Sequence, residues 1–360
     1  MIKTLDIYII KKFLSTFFFM IGAFMVIAVV FDVSENIDEL IKSKASTFKI
    51  ITDYYLNFCF YFGTLLSSFI VFLTIIWFTS KLAQQSEVIA MLSGGISYTR
   101  FVRPYFIAAG ILVALLLFLT HVVVPHANRV KYNFEVEYMK DPLTVAERNV
   151  HREIEPGVIA YFFAFHPETN SGDNFSLETW KEGRLVKKII ASSAKYEKDK
   201  NTWSINNATI RIFHQDGTED LSQRAKMDTV LNMDDQDFGL RAEISGAMSW
   251  SELNEFIDEQ KLGGSGRVAQ FEIEKYTRTA GPFSIFILTL IGVSIASRKQ
   301  RGGTGLHLML AVVIGFVFVF ISRMTTVSAM NLGFSASLAV WIPNILFLFI
   351  GIFLFTKAQK

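Results

Sequence analysis

Residues able to do chemistry are few in this chain. Glu87 heads the run Ser86-Glu-Val-Ile-Ala-Met-Leu-Ser-Gly-Gly95. Val88, Met91 and Leu92 follow at i, i+3 and i+4, one apolar stripe of a short helix of about residues 86–95. Ser86 is placed to cap that helix, Glu87 suits the positive end of its dipole, and Gly94-Gly95 supplies a left-handed stop. Such a helix can lie on a membrane surface, or its carboxylate can find an arginine on a partner. Arg323 is the only charge between Arg301 and Lys357. At the end of an apolar helix it either snorkels to water or meets an anionic headgroup. His307 reads as packed or facing a polar crevice. The six His residues show no H-x-x-x-H spacing, so no metal site is expected. There is no G-x-x-x-x-G-K-[ST] phosphate loop. No His, Asp, Glu or Ser set converges in the apolar segments, so the chain is not expected to be an enzyme. Pairs such as Glu153/Glu155 read as solvent-facing strand residues.

The elements that must carry these residues follow from hydropathy and charge. Of 360 residues, 51% are hydrophobic and 35 are Phe, more than an ordinary soluble chain holds. Of its 68 charged residues, 46 fall between Arg129 and Arg278, leaving 22 for the other 210. That split excludes one soluble domain, a disordered chain and a fibre. Neither part is basic enough for nucleic-acid binding, and the single Cys59 excludes an intramolecular disulfide.

About 20 apolar residues of helix cross a hydrocarbon core of about 30 Å. Six segments qualify: Phe13–Phe31, Tyr54–Ser80, Pro104–Pro125, Thr279–Ser297, Gly302–Ser322 and Ala336–Phe355, the last after a loop near Asn331–Ser335. The first reads as a retained anchor, since it is long and ends in bulky residues. Pro282 and Pro343 read as helix-start prolines. With both termini cytoplasmic, short inner segments carry 11 basic residues and outer ones four. The positive-inside rule therefore sets the termini and the Glu87 loop inside and the charged middle segment outside.

That middle segment carries short alternating or β-branched runs at Val158–Phe165, Phe175–Trp180, Leu185–Ala191, Thr202–Ile205 and Ala208–Phe213. Turn signals at Pro167–Gly172, Glu182-Gly183, Asp199–Asn201 and Asp216-Gly217 separate them. This pattern predicts an all-β domain, an antiparallel sandwich or an open barrel. Both parities of Val158–Phe165 are apolar, which fits a strand buried on both sides or an interior open to acyl chains. A helix is expected over Ser249–Lys261, capped by Ser251, with Gly263–Gly266 as a linker. The domains are then 1–128 with spans one to three, 129–266 with the β domain, and 267–360 with spans four to six.

Gln85-Ser-Glu-Val-Ile-Ala-Met-Leu-Ser-Gly-Gly-Ile-Ser97 resembles the coupling-helix signature of the LptF/LptG permeases of the lipopolysaccharide export ABC transporter. Leu5-Asp-Ile-Tyr8, Val123-Val-Pro-His-Ala-Asn128, Ile189–Tyr196, Ser249–Leu253 and Arg301-Gly-Gly-Thr-Gly305 resemble other parts of that family, in order, over essentially the whole chain. The resemblance implies a six-span inner-membrane permease with a periplasmic β-jellyroll-like domain. It implies pairing with a second permease subunit, a paralogue or a second copy, and with a cytoplasmic ATPase dimer. ATP and Mg belong to that ATPase; no cofactor is expected in this chain. The family extracts lipopolysaccharide from the outer leaflet of the inner membrane, through a gate between span one of one permease and span five of the other, and passes it to a periplasmic bridge protein.

The same resemblance assigns Glu87 the ATPase contact, with Val88, Met91, Leu92 and Gly94 completing the coupling helix. It points to Lys42, then Lys44, as headgroup contacts after span one, although Asp32, Glu35, Asp38 and Glu39 precede them. Arg323 is a third candidate, at the outer end of span five. Phe17, Phe18, Phe316 and Phe320 either face lipid or line the gate. The competing reading is a membrane receptor with an extracytoplasmic β sensor, although its inner loops leave no output domain.

Overall fold

The computed structural model describes residues 3–139, 147–166, 169–233, 242–263, 267–299 and 303–358. Pro167, Gly264–Gly266, Arg301 and Gly302, which bear on the expected turn, linker and fifth-span motif, lie outside them. Two compact units emerge. One comprises Met1–Met139, Gly246–Trp250 and Glu272–Lys360; the other comprises Lys140–Ser245 and Ser251–Phe271.

Among the described residues, six helices are long and apolar enough to cross a membrane: α1 (Thr4–Lys42), α2 (Thr47–Gln84), α4 (Tyr98–Met139), α6 (Val268–Ala296), α7 (Gly303–Leu332) and α8 (Ala336–Ala358). A short helix, α3 (Glu87–Ser93), joins α2 to α4. Each apolar stretch expected as a span falls almost wholly within one of these helices, which extend beyond it at one or both ends. α1 has 39 residues, about 58 Å at helical rise, so it outruns a hydrocarbon layer of about 30 Å. α4 stays helical through Arg129–Met139, the stretch where the clustered charges begin.

α2 packs against α1, α4 and α7. One core cluster joins α1, α2 and α4, with the rings of Phe13, Phe78 and Tyr105 stacked at 5.9 and 5.2 Å. A second joins Phe72 and Ile76 of α2 to Leu288 and Ile291 of α6 and Phe347 of α8. α7 reaches α2 closely at Gly315, where an added Cβ would stand 2.6 Å from Cε2 of Phe69.

Pro282 and Pro343 do not start helices; they lie inside α6 and α8. A proline there leaves the carbonyl four residues back without its N–H. For Pro282 that carbonyl belongs to Arg278, and it accepts the Thr120 hydroxyl of α4 at 3.0 Å. A neighbouring helix thus supplies the missing donor, as apolar surroundings require.

The second unit holds one six-stranded antiparallel sheet in sequential order. Its strands are β1 (Glu147–Glu155), β2 (Val158–His166), β3 (Ser171–Lys181), β4 (Arg184–Glu197), β5 (Thr202–Phe213) and β6 (Glu219–Thr229). The expected all-β insertion is present as a meander of hairpins. The runs Thr202–Ile205 and Ala208–Phe213 form a single strand, because Asn206 pairs with Ser193 and Ala208 with Arg224 through the break. β1 and β6 are polar edge strands without a strong apolar alternation. Rings fill part of the interior: Phe162, Phe165, Phe175 and Trp203 are fully buried in mutual contact. Trp203 Nε1 donates to the carbonyl of Met233 at 2.9 Å. On β2, Phe163 faces outward with 46% exposure, so only part of that strand is covered on both faces. The helix α5 (Trp250–Leu262) begins before Ser251, which therefore lies within it and is not its cap.

Candidate functional site

α3 hangs between the ends of α2 and α4. The chain leaves α2 through Ser86, whose φ of 61° is left-handed, and its hydroxyl does not cap α3 as expected. That hydroxyl receives a hydrogen bond from Lys299 Nζ at 3.3 Å. The exit of α3 follows the expected glycine chemistry. Gly95 takes φ +86° and donates to the Leu92 carbonyl, while Ile96 donates to that of Met91, the paired bonds of a glycine-ended helix.

A helix this short, fixed at both ends to spans, must bury one face on them. Val88 is fully buried in the core with Ile9, Phe13, Leu82 and Phe101, and Met91 packs at its edge. Of the predicted stripe, Val88 and Met91 face inward and hold α3 to its own subunit, whereas Leu92 lies outside that contact. The outward face carries Ile89 and Leu92, 49% and 36% exposed, with Ala90 and Ser93. Gly94 is exposed at the C-terminal end. Glu87 is half-buried and accepts the Tyr8 hydroxyl of α1 at 3.3 Å.

The motif Leu5-Asp-Ile-Tyr8 holds a buried acid. Asp6, in the first turn of α1, is 2% exposed. Arg100, in the first turn of α4, grips it through two hydrogen bonds, Nη1 to Oδ1 at 2.6 Å and Nη2 to Oδ2 at 2.7 Å. The backbone N–H of Lys3 adds a third at 2.7 Å. Two adjacent parallel bonds from a guanidinium to a carboxylate are strong and geometrically exacting. The signal in the sequence was an acid just inside an apolar helix, which lone hydropathy treats as a charge to be tolerated.

Two of the basic candidates stand at the opposite end of α1, and the third lies within α7. Lys42 ends α1 and is exposed; Lys44, also exposed, follows with φ 57°. Arg323, in α7, is exposed. Among the described residues, none of these three side chains has a hydrogen bond or ion pair, and no contact joins them. Lys49 differs: its ammonium meets the Tyr138 hydroxyl at 2.8 Å and Glu137 at 3.5 Å.

Phe17 is buried and Phe18 is 54% exposed, with their rings 5.3 Å apart. Both border an apolar cavity of about 260 Å³ between α1, α2 and α4, together with Gly22, Cys59, Gly63 and Leu115. Phe316 and Phe320 of α7 are 68% and 51% exposed and stack on each other at 6.4 Å. Phe318 turns inward against Phe347. The two phenylalanine pairs are not brought together. Among the described residues no three His, Cys, Asp or Glu side chains converge to hold a metal ion.

Six apolar helices with an inserted antiparallel sheet are the architecture of a multi-pass membrane protein. The family model for the lipopolysaccharide export system permease LptF/LptG matches residues 7–357, nearly the whole chain, and the chain belongs to that family. It is accordingly a multi-pass inner-membrane permease of lipopolysaccharide export. No curated protein matches the chain significantly.

Proposed function

We propose that this chain is one of two permease subunits of an ATP-driven exporter that lifts lipopolysaccharide from the outer leaflet of the inner membrane and passes it to a periplasmic bridge protein. In this reading the termini and α3 are cytoplasmic, in keeping with the 11 basic residues on that side. The β unit is periplasmic. ATP and Mg are bound by a separate ATPase dimer, and this subunit catalyses no reaction itself.

The observation that carries the reading is the exposure of Ile89 and Leu92 on a connector whose other face is locked into the subunit. An apolar outward face beside a half-buried carboxylate suits insertion into a groove of a partner that bears an arginine. α1 of one permease subunit and α7 of the other would form the two sides of each lateral gate. Lys42 and Lys44, exposed cations at the end of α1 away from α3, and the exposed Arg323 of α7 would meet the phosphorylated headgroup.

The test is purification of the Glu87→Lys variant with its associated subunits. Loss of the copurifying ATPase, or of its lipid-stimulated hydrolysis, is expected. Normal association together with normal lipid export would defeat the assignment of α3. A receptor would carry no stoichiometric ATPase in either the parent or the variant.

A further inference from the structure

The connector between α2 and α4 is tied at both ends to the start of α1. At its entrance the Tyr8 hydroxyl donates to Glu87 Oε2 at 3.3 Å, and Lys12 Nζ donates to Tyr8 at 2.8 Å. At its exit Arg100 holds Asp6 by the two-pronged contact of 2.6 and 2.7 Å. Between these points Val88 of α3 shares a core cluster with Ile9 and Phe13 of α1, all three fully buried. The ties differ in stiffness. The Tyr8–Glu87 bond is long and exposed. The Asp6 carboxylate is buried, with both oxygens occupied by the same guanidinium and one also capped by Lys3. A carboxylate so held cannot slide past its partner without leaving a buried charge unpaired. Nor does the fold of α1 alone require it, since the guanidinium reaches Asp6 from 94 residues away in the chain.

We propose that Asp6 is a positioning residue for transport: with Arg100 it forms a clasp that converts displacement of α3 into displacement of α1. The clasp rests on the reading of α3 as the ATPase contact and adds to it the route by which the push reaches the membrane. A rigid connection is needed because α3 carries few residues and its outward apolar face would otherwise tilt independently of the spans. Arg100 sits in the first turn of α4, where its own N–H is held by the Ser97 hydroxyl at 3.3 Å. The clasp therefore closes immediately after the glycine exit of α3.

The experiment uses the intact complex, purified with its associated subunits and reconstituted in vesicles containing lipopolysaccharide, and reads ATP hydrolysed and lipid released together. For Asp6→Asn, hydrolysis persists while lipid released per ATP falls about tenfold, the size of an ordinary coupling between two sites. The exchanged pair Asp6→Arg/Arg100→Asp restores most of that ratio. An unchanged ratio in Asp6→Asn overturns the clasp, including the case in which both rates fall in proportion, as a merely structural role would have it. A lowered ratio that the exchanged pair fails to restore also overturns it. Should Asp6→Asn fail to assemble, the exchanged pair decides alone: assembly with the parental ratio supports the clasp, and any other result rejects it. Glu87→Lys in the same vesicles separates the two claims, because it leaves hydrolysis and release normal only when the assignment of α3 itself is wrong.

Discussion

The hydroxyl of Ser80 lies 2.7 Å from Nδ1 of His307, and both residues are fully buried. Ser80 stands in the last turns of α2, just before α3, and His307 stands in the first turns of α7. The other ring nitrogen, Nε2, is buried without a partner among the described residues. This single polar contact joins the stem of the coupling segment to one of the proposed gate helices. Both side chains are fully buried, so removal of the contact leaves a polar ring stranded.

Ser80→Ala is therefore expected to destabilise the subunit by roughly 1–3 kcal/mol, because His307 then has no partner at all. The double variant Ser80→Ala/His307→Phe should recover most of that loss, since replacing both polar partners by apolar groups of similar shape is nearly neutral. Thermal unfolding of the detergent-solubilised complex checks both. A double variant no more stable than Ser80→Ala would show that shape, not hydrogen bonding, governs the site.

Gly315 offers a test of helix approach. A Cβ there would stand 2.6 Å from the Phe69 ring, so Gly315→Val must force α7 from α2 or swing the ring aside. Overpacking of this kind costs about 1–3 kcal/mol. The expected result is a lower unfolding temperature, partly reversed by Phe69→Leu, which removes the colliding ring atoms.

The basic candidates make a prediction about lipid. Arg323→Ala and Lys42→Glu should each reduce photo-crosslinking of the subunit to lipopolysaccharide, with Lys42→Glu the stronger because it reverses the charge. Lys49→Ala should affect stability more than crosslinking, since Lys49 is already engaged with Tyr138 and Glu137. Equal crosslinking in all three would remove the headgroup role.

On the β unit, His214 Nε2 lies 2.9 Å from Asp220 across the β5–β6 turn. The hydrogen bond and the charge of Asp220 raise the imidazole pKa above its ordinary value. Because the folded value is the higher one, the stabilisation is fully present below the pKa of the unfolded histidine and is lost as pH rises through the folded value. NMR titration should find the raised value and should find it returned toward normal in Asp220→Asn. Proteolytic nicking at Gln215–Thr218 should increase as pH rises through the same range.

The arrangement of spans was legible because its cause is local. An uncharged run such as Tyr54–Ser80 states its own preference for lipid whatever surrounds it. The strands of the β unit were legible where they alternate over a buried face, as at Ala208–Ile210, where Ala208 and Ile210 are buried and Thr209 between them is not. They were missed at β1 and β6, whose edge positions leave much of their length polar. Proline was misread for the same reason. A helix-start reading of Pro282 assumes that the freed carbonyl has no rescue, whereas Thr120, far away in sequence, provides one.

The candidate site divides along the same line. Glu87, Gly95 and the amphipathic run around them were visible, since helix start, stop and stripe are written within a few residues. Which face of that helix is free was not, because the answer depends on Ile9, Phe13 and Phe101 covering Val88. Sequence by itself determined six apolar helices, an inserted antiparallel domain and the position of the connector, all set by short-range patterns of hydropathy, charge and glycine. Only the tertiary structure decided that Asp6 meets Arg100 across 94 residues and that Ser80 meets His307 across 227. Such pairings are chosen by how helices pack, and no local preference of either partner encodes them.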